Sequence, residues 1–150
     1  MINHKENLQK AIDLSNLSVD SGSSPFGCVI VDKNGEIVGQ GNNRVVLDND
    51  PTAHGEVMAI RDACKNLNTF DLSGCILYTS CEPCPMCLNA AKWANIAEIY
   101  YAADRYDAEK IGFRDRVFYE DDPLELHRIK LDSAVEIMEK WKNKPDKVEY

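Results

Sequence analysis

Two short clusters, His54-Gly55-Glu56 and Pro83-Cys84-Pro85-Met86-Cys87, constrain this chain more than any other feature. Each falls at the start of a predicted helix. His54 and Glu56 are two apart, which would put them on opposite faces in mid-helix. In a first turn both can point at one site, because side chains lean toward the helix N-terminus. Cys84 and Cys87 are three apart and share a face. The positive end of a helix dipole beside them favours thiolates. Two helix starts turned toward each other would therefore offer an imidazole nitrogen and two sulfurs at one point, with a carboxylate alongside. Any fold for this chain must bring those two starts together.

The periodicity around the clusters supplies such a fold. Leu8, Ala11, Ile12, Ser15 and Val19 recur at helical spacing, so the first twenty residues read as a helix. Ser21 to Ser24 ends it, and Pro25 introduces an extended run from Phe26 to Val31. Asn34-Gly35 is a hairpin turn into a second strand around Glu36 to Gln40. Asp50-Pro51 predicts the start of a helix whose Val57, Ile60, Cys64 and Leu67 pack on the sheet. Cys75 to Thr79 reads as a strand, Pro85 to Trp93 as a helix and Ala97 to Ala102 as a strand, a unit that implies a parallel pair joined by a right-handed crossover. Asp107 to Asp122 reads as loop or short helix, and Asp132 to Lys142 as a helix carrying Ala134, Val135, Ile137, Met138 and Trp141. The expected architecture is a single-domain, three-layer α/β/α sandwich with a mixed sheet.

Composition excludes several function classes. The longest apolar runs, such as Cys28 to Val31, are far short of the roughly 20 residues that span a bilayer. No apolar stretch follows the first charges, so the expected location is the cytoplasm. A net charge of −8, from 25 acidic against 17 basic residues, argues against a phosphate-tracking surface. Lys140, Lys142, Lys144 and Lys147 cluster, but Glu139, Asp146 and Glu149 are interleaved, as on a solvated helix end. Cys28, Cys64 and Cys75 read as buried small hydrophobes, and His4 and His127 as surface histidines.

A nitrogen and two thiolates suit zinc, and three protein ligands leave the fourth position for water. Glu56 is then placed to take a proton from that water, as hydrolytic loss of an amine requires. Two other readings compete. Cys81 continues the spacing toward Cys84 and Cys87, so a closed structural zinc site in a non-enzymatic binding module is conceivable. It would leave Glu56 without a task. A redox pair at Cys84 and Cys87 would make His54 accidental.

His-x-Glu followed by Pro-Cys-x-x-Cys resembles the signature of zinc nucleobase deaminases. The likeness to the cytidine-deaminase-like superfamily runs through Pro25-Phe26-Gly27, Gly41-Asn42-Asn43, Asn49 to His54 and Ile76 to Cys87. Gly112-Phe113-x-Asp115 and the terminal Glu149-Tyr150 are most similar to bacterial guanine deaminases. That resemblance implies zinc on His54, Cys84 and Cys87, and proton shuttling by Glu56 with Asp115 as a second carboxylate. It implies that Asn43 hydrogen-bonds a purine, Phe26 stacks on it and Trp93 walls the pocket. Tyr150 would close over the site, on a helix and tail (residues 132–150) exchanged within a homodimer. The implied reaction converts guanine to xanthine and ammonia. Guanosine, cytosine, ammeline or adenosine in tRNA are the alternative substrates. One departure stands out: relatives carry His-Ala-Glu, and Gly55 in place of Ala removes a methyl group near the metal, which would loosen the pocket.

Overall fold

The computed structural model describes residues 1–120 and 124–150. Its elements are α1 (His4–Asp20), β1 (Gly27–Val31), β2 (Ile37–Asn42), α2 (Val45–Asp48), α3 (Gly55–Leu67), β3 (Ile76–Cys81), α4 (Pro85–Trp93), β4 (Glu98–Ala103), α5 (Arg105–Lys110), α6 (Asp115–Tyr119) and α7 (Asp132–Lys142). The sheet order is β2-β1-β3-β4. β1 runs antiparallel to both β2 and β3, and β3 runs parallel to β4. The hairpin and the strand–helix–strand unit expected from the sequence are both present, and the sheet is mixed.

β1 and β3 are buried along their whole length, so each strand serves two cores by simple alternation. Cys28, Ile30 and Leu77 face α3 and α4, where they meet Ala59, Ala63 and Ala91. Val29, Val31, Ile76 and Tyr78 face α1 and meet Ala11. The same alternation turns Thr79 and Cys81 toward α3, which matters for the site.

Several expectations need correction. The helix carrying Glu56 begins at Gly55, with His54 as its N-cap, and Pro51 lies in the turn before it. The buried face of α3 is Gly55, Glu56, Ala59 and Ala63. Ile60 and Cys64 pack only at its edge, and Leu67 is exposed. The cause lies in β2, where an added Cβ on Gly41 would sit 2.6 Å from the Ala59 nitrogen. The helix backbone rests against glycine, so the side chains between must be small. α1 is rotated likewise: it buries Asn7, Ala11 and Ser18 and exposes Val19. Ser18 is accommodated because its Oγ donates to Ser24 O at 2.6 Å and accepts from Asn42 Nδ2 at 3.2 Å. His4 is more than a surface histidine, since its Nδ1 lies 2.7 Å from the Tyr78 hydroxyl and its ring stacks on Tyr100. The segment from Asp107 contains parts of two short helices, and its last two residues, Asp121 and Asp122, lie outside the described residues.

α7 spans the expected residues yet buries none of them. Leu124, Leu126, Ile129 and Leu131 before it, and Val135, Ile137 and Met138 on it, are all more than half exposed. The nearby lysines are offset by exposed pairs: Lys142 with Glu139, Lys144 with Asp146 and Lys147 with Glu149. Among the described residues, no helix is long and apolar enough to cross a membrane.

Gly55 behaves unlike Gly41. An added Cβ there would meet Phe26 O at 3.4 Å, an ordinary contact directed at the start of β1. Gly41→Ala is therefore expected to destabilise the protein by about 1–3 kcal/mol, as overpacking does. Gly55→Ala should be neutral or stabilising by up to about 1 kcal/mol. Urea denaturation of the two variants checks this, and equal losses would contradict the assigned packing.

Candidate metal and substrate site

The two helix starts do face each other. His54 is the N-cap of α3, and Cys84 is the N-cap of α4 with Pro85 at its first position. Neither N-cap side chain bonds its own helix. Both are turned across the gap instead. His54 Nδ1 lies 3.6 Å from Cys84 Sγ and 3.5 Å from Cys87 Sγ. All three ligand atoms lie within 4.8 Å of one another. Zn–S bonds near 2.3 Å and a Zn–N bond near 2.0 Å, opened to the tetrahedral angle, separate N from S by roughly 3.5 Å. The donor set therefore fits zinc in both chemistry and spacing.

The ionisation of these groups agrees. Cys84 is pushed down to about 4, first by its hydrogen bond from Cys87 and then by His54, against its burial. Cys87 is pushed up, because it holds the proton that bonds the Cys84 sulfur and because it is buried. His54 is raised, chiefly by its hydrogen bond with Cys84. A divalent cation held among these groups would displace the protons they share.

Cys81 stands apart from this set. Its Sγ donates to Asp104 O at 3.6 Å, and burial with the nearby Asp115 and Glu56 charges pushes it up to about 12. Its sulfur is bonded away from the other two and is not among the three clustered donor atoms.

Glu56 is buried beside the donors, and Thr79 Oγ1 donates to its Oε1 at 2.6 Å. Thr79 escaped the sequence reading. The alternation of β3, Leu77-Thr79-Cys81, was the available signal, because it turns the Thr79 hydroxyl toward α3. A cavity of about 590 Å³ opens over the donors. His54, Glu56 and Cys84 form its floor, and Phe26, Asn43, Phe113, Asp115 and Phe118 are among its walls. Phe26 meets Phe113 edge-on, with ring centroids 4.8 Å apart. Asn43 Oδ1 accepts from the Val45 N–H at 3.0 Å, which fixes the amide and leaves Nδ2 as the donor it can offer a ligand. Asp115 is raised, first by burial and then by the Cys84 charge.

Six of the nine expected site residues, His54, Glu56, Cys84, Phe26, Asn43 and Asp115, line one cavity, and Cys87 lies buried behind it against His54. Trp93 and Tyr150 do not line it within the single chain. Trp93 is 69% exposed, and Tyr150 touches it and Phe70 on the outside of the molecule, with ring centroids 5.9 Å away in each case. Gly55 does not line the cavity either: a methyl group there would meet the Phe26 and Gly27 backbone, so its absence does not widen the pocket.

Comparison with known proteins agrees with this geometry. The model of the cytidine and deoxycytidylate deaminase zinc-binding region matches residues 1–103. Guanine deaminase of Bacillus subtilis (strain 168) is 45% identical over 99% of this chain and its own full length. The X-ray structure of the Bacillus subtilis guanine deaminase superposes with a TM-score of 0.93 at 43% identity, covering 99% of each chain. A guanine deaminase structure from Nitrosomonas europaea reaches a TM-score of 0.73 at 28% identity, covering 85% of this chain and 70% of that one. A tRNA-specific adenosine deaminase of Haemophilus influenzae is 34% identical over 85% of this chain and 73% of its own length.

Proposed function

Because the chain belongs to the cytidine and deoxycytidylate deaminase family of zinc-binding enzymes, we propose that it hydrolyses guanine to xanthine and ammonia. The observation that carries this reading is the nitrogen and two sulfurs set at zinc spacing beneath an aromatic-walled cavity, with a buried carboxylate beside them. Full-length likeness to a guanine deaminase favours guanine over the other bases, and the acidic balance disfavours tRNA.

His54, Cys84 and Cys87 would hold the zinc. A zinc ion held there would lower the pKa of a bound water to about 7 and so supply a nucleophile at neutral pH. Glu56, held at one oxygen by Thr79, keeps its other oxygen to accept the proton of the attacking water and deliver it to N3 of the ring as water adds at C2. Asp115, raised by burial and by the Cys84 charge, assists transfer to the departing amine. Phe26 and Phe113, packed edge-on against each other, form one aromatic wall beside the ring, and Asn43 Nδ2 donates to its polar edge. Buried polar groups left unpaired penalise the wrong base, so these contacts govern selectivity.

The exposed apolar arm supports a homodimer that exchanges residues 132–150. In such a dimer Tyr150 serves the neighbour's pocket, with Trp93 as part of the wall it closes.

Ammonia release from guanine, guanosine, cytosine, adenine, ammeline and unmodified tRNA, assayed in parallel, should be fast for guanine alone. Glu56→Gln should keep its zinc and lose turnover by about 10²–10⁴-fold. Appreciable activity in that variant would sink the proton-shuttle role. Co-expressing Glu56→Gln chains with Tyr150→Ala chains tests the exchange. Random pairing should recover about a quarter of wild-type activity, since half the dimers hold one pocket with both residues. No recovery above the separate variants would rule the exchange out.

A further inference from the structure

Asp115 is the first residue of α6, a single turn that ends at Tyr119, so the two side chains lie four apart on one side. Asp115 points to the cavity, while the Tyr119 hydroxyl donates to the carbonyl of Pro83, the residue before Cys84. The Tyr119 ring is itself held. Arg105 lays its guanidinium 3.6 Å from the ring centroid. The same guanidinium donates to Glu82, from Nε to Oε1 at 3.0 Å and from Nη2 to Oε2 at 2.9 Å, and the Arg105 backbone N–H donates to Oε1 at 3.0 Å. Glu82 in turn continues the pairing of β3 with β4, its N–H donating to Ala103 O at 2.7 Å. The ion pair is well covered, with the two side chains 30% and 15% exposed. A bidentate pair with a stacked aromatic is the geometry that distinguishes arginine from lysine.

We propose that Arg105 and Tyr119 are positioning residues that fix Asp115 relative to the loop bearing Cys84, through the stack of Glu82, the guanidinium and the phenol ring. This rests on the reading of Asp115 as a proton-transferring group. Arg105 and Tyr119 do not touch the base; they act through α6. Placement errors near 1 Å cost catalysis up to about 10²-fold, which is the range a loosened α6 would explore.

The test is a cycle of Tyr119→Phe, Asp115→Asn and the double variant, with Arg105→Lys as a second probe of the clamp. Tyr119→Phe keeps the ring and loses only the anchor to Pro83. Its kcat should fall about 10-fold or more with KM and zinc content nearly unchanged, and it should cause no further loss in the Asp115→Asn background. Arg105→Lys should show the same pattern. Amide hydrogen exchange supplies a readout that needs no substrate: exchange in α6 should rise in both variants while α3 and α4 keep their protection. Unchanged α6 exchange, or a Tyr119→Phe loss that multiplies fully with that of Asp115→Asn, overturns the proposal. If the wild-type chain releases no ammonia from guanine, the functional reading fails and the exchange data alone decide the clamp.

Discussion

The structure turns on the crowding of one imidazole nitrogen and two sulfurs into a space where only protons or a cation can reconcile them. His54 and Cys84 are both N-caps that forgo bonds to their own helices. The free N–H groups of those two helix ends make the neighbourhood positive, which favours thiolate at Cys84. That arrangement requires α3 and α4 to be brought close on one face of the sheet. Gly41 on β2 permits it by letting the α3 backbone approach, and Ala59 and Ala63 fill what little room is left. The packing of the core and the geometry of the donors are thus one constraint.

The acid–base apparatus depends on the same face. Strand alternation puts Thr79 behind Glu56, so that the carboxylate, once buried, still has a donor for one oxygen. A buried carboxylate with no partner would be costly, and one bonded at both oxygens would have nothing to offer a reactant. Asp115 approaches from the opposite wall on α6.

Much of this was legible in the sequence because it rested on local chemistry. The spacing of His54, Glu56, Cys84 and Cys87, the turn at Asn34-Gly35 and the strand–helix–strand unit each follow from residue type and period. What the sequence hid was tertiary. The face of α3 was misread because Val57 and Leu67 are the larger apolar residues, whereas glycine in β2 selects alanine. Thr79 looked like an ordinary strand residue, and Arg105 and Tyr119 sit in a segment with weak periodicity. Trp93 and Tyr150 were expected at the pocket and lie outside it in one chain: Trp93 ends α4 on the exposed side, and Tyr150 follows a helix that buries none of its residues and meets Trp93 there.

In the proposed site His54, Cys84 and Cys87 hold zinc with its fourth position open to the cavity. X-ray absorption at the zinc edge on the loaded protein tests it directly. That ligand set gives two sulfurs at about 2.3 Å and two nitrogen or oxygen neighbours at about 2.0–2.1 Å, one of them exchangeable solvent. Three sulfurs in the shell would enlist Cys81, close the site and rule out an open catalytic zinc.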